Sequence, residues 1–238
     1  MSSSTDEMDI DEYIDSLLIP IEEIELATNN LTDENLLTRG TSFDVYKGQL
    51  LQSEDLIKIV ARKCREFSII LNEIILLKDL KHKNIVSIYK LAGTEDEVII
   101  INKYEANESL DKHLSSPTLP WMRRLLICVG VAHALSYLHY EAKENHYVIH
   151  GNIRSSKILL DHNWEPKLHG FKFAVIAIKH HLHLTNKYNG SLHYMDPAYE
   201  DARGFNHKSD IFSFGVLLFE VLFGREASIP NDDNWYFA

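Results

Sequence analysis

The sequence lacks a long apolar run, a rich supply of cysteine and an excess of positive charge. No apolar stretch approaches the roughly 20 residues that a membrane-spanning helix needs, so we expect no transmembrane segment. Two cysteines, Cys64 and Cys128, are too few for a disulfide framework and fit a reducing compartment. A formal net charge of −11 over 238 residues argues against nucleic acid or an anionic membrane as the main partner. These absences favour a cytoplasmic globular protein.

Basic residues are also missing from the N-terminal region, where the first is Arg39. Residues 1–7 lack the basic and apolar parts of a signal peptide, and position 2 is not the glycine that myristoylation requires. Residues 1–20 are acidic and serine-rich, which predicts a disordered tail with one helical turn around Tyr13–Leu18. Residues 21–35 begin I-E-E-I-E-L-A, whose apolar spacing predicts a short helical extension before the main domain.

Hydrophobic periodicity divides the main domain, residues 36–238, at about residue 104. Before that point, segments 36–63, 85–91 and 97–102 have strand-like patterns, and segment 66–80 has apolar residues at helical steps. After it, long apolar helices are predicted over 121–140 and 208–224, with short strands within 149–160 and 164–173. The pattern predicts an α+β protein, with a β-rich lobe carrying one helix at 36–104 and a helical lobe at 105–238.

The most informative motif is H-G-N-I-R-S-S-K-I-L-L at residues 150–160. It resembles the catalytic loop of plant receptor-like protein kinases, where H-R-D-[LV]-K-S-S-N-I-L-L is usual. In that family the aspartate accepts the substrate hydroxyl proton and the asparagine holds magnesium. Asn152 and Lys157 stand at these two positions, and Arg154 replaces the loop lysine. A carboxamide is no base at neutral pH and an ammonium repels a divalent cation, so the resemblance implies a kinase scaffold without its chemistry.

Other segments resemble the same family, in its FERONIA-like and receptor-like cytoplasmic types, and follow in the same order. They include V-Y-K-G at 45–48, G-F-K at 170–172 in place of D-F-G, and G-S-L-H-Y-M-D-P-A-Y at 190–199. The resemblance therefore implies a two-lobed protein-kinase-like fold. The family continues for several helices beyond the one at 208–224, so the helical lobe is expected to be cut short.

The resemblance also assigns nucleotide contacts. Gly40 is the one glycine kept of the three in the glycine loop, Val45 follows it, and Tyr104 lies in the segment that joins the lobes. Helical Glu73 matches the glutamate that pairs with the phosphate-binding lysine of the third strand.

That lysine has two candidates. Residues 60–63 read V-A-R-K and match the family's V-A-x-K literally, which favours Lys63. A slip of one residue would place Arg62 there instead, because alternation on a strand lets only one of the two face the nucleotide.

Architectural positions are kept where chemical ones are lost. His150 and Phe171 match an apolar column of the family, and Asp210 matches a buried aspartate that caps the catalytic loop. The crowded histidines His180, His181 and His183 have no cysteine or carboxylate at metal-ligand spacing, so a solvated loop is favoured over a metal site or a pH switch.

The sequence thus predicts a catalytically dead pseudokinase that acts as a binding or adaptor module in plant receptor-like kinase signalling. The alternatives are a residual ATP-binding serine/threonine kinase and a non-functional fragment. We expect weak ATP binding without a magnesium site, no bound metal, and a protein partner such as a kinase or an immune or signalling receptor. The expected location is the cytoplasm, with association to the plasma membrane through that partner.

Overall fold

The computed structural model describes residues 9–40, 43–64, 67–94, 97–179, 192–197 and 206–227. The chain divides into two compact units, Met1–Lys81 with Val86–Tyr104, and His82–Ile85 with Glu105–Ala238. The first is built on one β-sheet and the second mainly on helices, so the predicted α+β class is confirmed. The histidine loop at 180–183 lies outside the described residues.

An antiparallel five-stranded sheet forms the first unit, with the spatial order β1-β2-β3-β5-β4. Its strands are β1 (Leu36–Arg39), β2 (Phe43–Gln52), β3 (Asp55–Cys64), β4 (Lys90–Gly93) and β5 (Val98–Lys103). The apolar run at 85–91 is strand only from Lys90, although the Tyr89 N–H already donates to the Ile101 carbonyl of β5 at 2.9 Å. Its other apolar residues are buried without joining the sheet, which the sequence pattern does not distinguish from a buried strand.

Two short helices precede the sheet, α1 (Ile10–Leu17) and α2 (Ile21–Ala27). Helix α1 extends over more residues than the single turn predicted around Tyr13–Leu18, so residues 10–17 are not a disordered tail. Asp9 caps α1 by accepting from the Ile10 N–H, and Tyr13 is buried with the Lys81 ammonium 5.9 Å from its ring centre. An acidic segment remains disordered when it buries too little apolar surface. Burial of the Tyr13 side chain supplies such surface for α1.

Helices α2 and α3 (Phe67–Asp79) contact opposite faces of the central strands of the five-stranded sheet. One face carries Ile59 and Ala61 of β3 and Ile99 and Ile101 of β5, which pack with Ile24 of α2. Because side chains alternate along a strand, the even-numbered residues of β3 lie on the opposite face. That face meets helix α3 through the ion pair of Arg62 and Glu73.

Two long helices and two small sheets form the second unit. The helices are α4 (Trp121–Ser136), which continues as a single π-helical turn at Tyr137–Glu141, and α5 (His207–Phe223). The antiparallel pairs are β6 (His146–Ile149) with β9 (Val175–Ile178), and β7 (Ile158–Leu160) with β8 (Pro166–Leu168).

Local signals fix both ends of α5. The Asn206 side chain accepts from the Lys208 N–H, and the Ser209 hydroxyl accepts from the Asn206 N–H, which together make a capping box. Gly224 ends the helix in the left-handed conformation. None of the helices in the described part of the chain combines the length and the apolar content needed to cross a bilayer.

Candidate functional site

One buried carboxylate anchors the backbone of the segment that resembles a catalytic loop. Asp210, on the first turn of α5, accepts the N–H groups of His150 and Gly151 at 2.8 Å each. The same carboxylate contacts His139 Nε2 at 3.0 Å, and both side chains are almost fully buried. These bonds fix the backbone that leads into Asn152.

Asn152, which matches the catalytic-base position in the resemblance, is buried. Its N–H donates to His150 Nδ1 at 3.2 Å, and His150 Nε2 lies 3.2 Å from the His169 carbonyl oxygen. The His150 ring meets the Phe171 ring edge to face, with centroids 4.8 Å apart. The backbone and rings around Asn152 are therefore well packed, but the Asn152 side chain itself is an amide and not a carboxylate.

The Lys157 side chain passes close to Gly170, and these two residues match the two metal-ligand positions of the resemblance. A Cβ atom added to Gly170 would lie 3.1 Å from Lys157 Cδ, 3.4 Å from Cε and 3.6 Å from Nζ. Gly170 has a φ of +91°, a conformation that side chains other than glycine, asparagine or aspartate rarely adopt. The lysine stem thus covers the space where an aspartate side chain would begin, and it brings a positive charge with it.

Arg154 precedes Lys157 in an extended backbone conformation, with φ of −167°. Its side chain is half-buried, and its Nε is buried without a hydrogen-bond partner among the described residues. The next residue, Ser155, donates its N–H to Glu220 Oε2 at 3.2 Å.

Glu220 is a buried carboxylate that the sequence reasoning missed. Besides Ser155, it accepts the Tyr194 hydroxyl, and the Ala227 N–H at 2.9 Å. Burial and then the hydrogen bond to Glu220 raise the pKa of Tyr194 well above its ordinary value. The signal in the sequence was a lone acidic residue within the apolar run Phe214–Phe223 of the helix, since such a residue is buried only when it is paired.

In the first unit, the partner of Glu73 is Arg62 and not Lys63. Arg62 Nη2 and Nη1 donate to the two Glu73 oxygens at 3.0 and 3.3 Å. Lys63 instead pairs with Glu97 at 2.7 Å, and its side chain is one-third exposed. The preference for Lys63 is corrected by strand alternation, because Lys63 shares its face with Ala61 and that face packs against α2.

Two further residues contact Arg62 that the sequence did not single out. Asn102, on β5, accepts from Arg62 Nε at 3.1 Å, and the Phe43 ring centre lies 5.2 Å from the guanidinium carbon. Asn102 occupies the position that guards the nucleotide pocket in the resemblance, so a polar residue there was a usable signal.

The remaining predicted nucleotide contacts lie on the same sheet. Gly40 directly follows β1, and its N–H donates to the Phe43 carbonyl at 2.9 Å. Val45 on β2 pairs with Arg62 on β3, and Tyr104 donates its N–H to the Lys58 carbonyl at 3.0 Å. Within the described ranges, no three His, Cys, Asp or Glu side chains come together as a metal site.

Comparison with known proteins identifies the scaffold. The family model described as protein tyrosine and serine/threonine kinase matches residues 31–234. The chain is 36% identical over 236 residues to the Arabidopsis thaliana G-type lectin S-receptor-like serine/threonine-protein kinase SRK, covering 94% of this chain and 27% of that protein. It is 34% identical to the receptor-like protein kinase FERONIA of the same plant, over 87% of this chain and 24% of that protein.

A third relative, the Arabidopsis thaliana serine/threonine-protein kinase CDG1, is 32% identical over 89% of this chain and 50% of its own length. The chain thus spans between a quarter and a half of these curated relatives. The predicted resemblance to plant receptor-like kinases is confirmed.

Proposed function

The chain belongs to the protein tyrosine and serine/threonine kinase family, and from this membership we propose that it is a pseudokinase, a kinase-like binding module that does not transfer phosphate. The observation that carries the proposal is the position of the Lys157 stem, which lies 3.1 Å from where a Cβ atom at Gly170 would stand, so that an ammonium replaces the metal-binding groups there. Asn152 at the base position supports it independently.

The expected loss of rate is large. General-base catalysis contributes about 10²–10⁴-fold, and a carboxamide such as Asn152 supplies none of it. A metal at the phosphates contributes several kcal/mol of charge stabilisation. Because the two losses concern different parts of the reaction, they compound.

The residues at the magnesium positions do not fit magnesium. That ion is bound through carboxylate oxygens and substrate phosphates, whereas Lys157 and Gly170 offer an ammonium and no side chain. We propose that any ATP binding is weak and independent of magnesium, with Arg154 as the cationic contact that the loop retains. Lys63 drops out of this role because it pairs with Glu97 on the opposite sheet face.

The competing function is a residual serine/threonine kinase. Two features favour it, the ion pair of Arg62 with Glu73 and the retained positive charge at Arg154. Both are compatible with a pseudokinase, since neither supplies a base or a metal ligand.

A transfer assay separates the two. The wild-type chain is incubated with radiolabelled ATP and magnesium or manganese, alone and with a generic protein substrate. We expect label at the level of the buffer control. Label clearly above it that disappears in Arg154→Ala would establish a residual kinase, because a contaminating kinase would be unaffected by that substitution.

The partner and the location are proposals as well. The relatives' printed names describe receptor-like kinases, so we propose a kinase or a signalling receptor as the protein partner. A cytoplasmic location, with membrane association through that partner, follows from the same context.

A further inference from the structure

Every nitrogen of the Arg62 guanidinium has a partner inside the first unit. Nη1 and Nη2 donate to the two oxygens of Glu73, and Nε donates to Asn102 Oδ1 at 3.1 Å. The Arg62 side chain is 13% exposed and that of Glu73 is fully buried. A buried charge of this kind depends on its partner, because a carboxylate left alone in such a place is strongly unfavourable.

Asn102 is oriented by a second bond. Its Nδ2 donates to the Ser87 carbonyl at 2.8 Å, which leaves Oδ1 pointing at the arginine. The Phe43 ring lies over the guanidinium on another side, 5.2 Å from its central carbon. The Arg62 guanidinium is thus fixed by two groups, the Glu73 carboxylate on α3 and the Asn102 amide on β5.

We propose that Arg62, Glu73 and Asn102 form a ligand-independent lock that holds helix α3 against strands β3 and β5. Asn102 is its positioning residue, because it accepts the hydrogen bond from Arg62 Nε and so fixes the orientation of the guanidinium plane. A lysine could not replace the arginine, since its single ammonium lacks a planar fork that meets a carboxylate through two donors and an amide through a third. The position of α3 then requires no phosphate and no metal.

This inference goes beyond the absence of phosphate transfer. Arg62 is a structural residue, so its loss should change the stability of α3 in the absence of nucleotide. A residue that binds phosphate would affect α3 only when nucleotide is present.

Hydrogen exchange of the whole chain, followed by mass spectrometry without nucleotide, tests the lock. The readout is the exchange rate of backbone amides in α3, for the wild type and for Arg62→Ala, Arg62→Lys and Asn102→Ala. Lys63→Ala is the matched control, because it also removes one positive charge and one ion pair from the next position of the same strand.

We expect Arg62→Ala to accelerate exchange in α3 by about 100-fold or more, because it breaks a buried ion pair. Asn102→Ala should accelerate it by about tenfold, the equivalent of one hydrogen bond to a charged group. Lys63→Ala should change it by less than about threefold, since an exposed ion pair contributes little. Adding ATP to the wild type should leave α3 unchanged.

The Arg62→Lys background keeps the result decisive if Arg62→Ala unfolds the first unit. In that background Asn102→Ala should have almost no effect, because the lysine makes no bond to the amide. Equal effects of Asn102→Ala in both backgrounds, equal effects of Arg62→Ala and Lys63→Ala, or protection of α3 that arises only with ATP would each overturn the lock. None of these readouts depends on phosphate transfer, so failure of the lock and failure of the proposed function are distinguishable.

Discussion

Replacing Asp210 by alanine should destabilise the second unit more than any change at an exposed acidic residue. Its carboxylate receives two backbone N–H groups at 2.8 Å and contacts His139 Nε2 at 3.0 Å, with 1% of its side chain exposed. The His139 Nδ1 atom is already buried without a partner in the described part of the chain. The substitution would remove the acceptor of the His150 and Gly151 N–H groups and of the His139 ring.

The magnitude follows from these contacts. Each buried donor left without an acceptor costs about 1–3 kcal/mol, and hydrogen bonds to charged groups are at the upper end. Two backbone donors and one imidazole therefore predict a loss of at least about 3 kcal/mol, and removal of one partner from a buried charged network typically costs about 3–5 kcal/mol. Asp210→Asn keeps one acceptor oxygen and should lose about half as much.

Urea unfolding followed by tryptophan fluorescence measures this loss. Residues 1–104 contain no tryptophan, so the signal reports on the remainder of the chain, which includes Trp121 and Trp164. Glu144→Ala is the control, because Glu144 is an exposed carboxylate of the same unit. A loss below about 1 kcal/mol for Asp210→Ala, equal to that of the control, would refute the reasoning, since surface changes are usually that small.

Three further predictions concern side chains of the second unit. Burial lowers the pKa of His207 in the folded state, so the stability that this residue contributes is present above its unfolded pKa and is lost as pH falls toward its folded pKa. The melting temperature should therefore decline from pH 7.5 to 5.5, and it should decline less in His207→Gln; an equal decline in the two proteins would contradict this. Tyr194→Phe removes one donor to the buried Glu220 and should cost about 1.5–3 kcal/mol in urea unfolding; an unchanged midpoint would show that the hydroxyl is dispensable. Gly170→Ala should cost about 1–3 kcal/mol through its positive φ and the nearby lysine stem, and Lys157→Ala in the same chain should recover part of that loss; no recovery would mean that the stem does not crowd this position.

Much of the fold could be predicted because its elements have strong periodicity. The helix predicted over 66–80 is found at Phe67–Asp79, and the one over 208–224 at His207–Phe223. Both are long apolar segments whose pattern admits one interpretation. Strand β9 was missed, because V-I-A-I offers no alternation and becomes a strand only through its tertiary pairing with β6.

The site was harder to predict where a local motif competed with the faces of a strand. The literal match of V-A-R-K favoured Lys63, yet Ile57, Ile59 and Ala61 already show that the odd-numbered face of β3 is apolar. Lys63 continues that face, so Arg62 faces α3. The sequence shows that Asn102 and Glu220 are polar residues in apolar segments, but it does not identify their partners, because each partner is distant in the sequence.

The most direct test of the central claim measures whether magnesium changes ATP binding. Isothermal titration of the wild-type chain with ATP, with and without magnesium, is compared with the double variant Lys157→Asn and Gly170→Asp, which restores an amide and a carboxylate at the two metal-ligand positions. We expect magnesium to leave the affinity of the wild-type chain for ATP unchanged and to strengthen that of the double variant. Magnesium strengthening of wild-type binding by about tenfold or more, equivalent to about 1.4 kcal/mol, would contradict it.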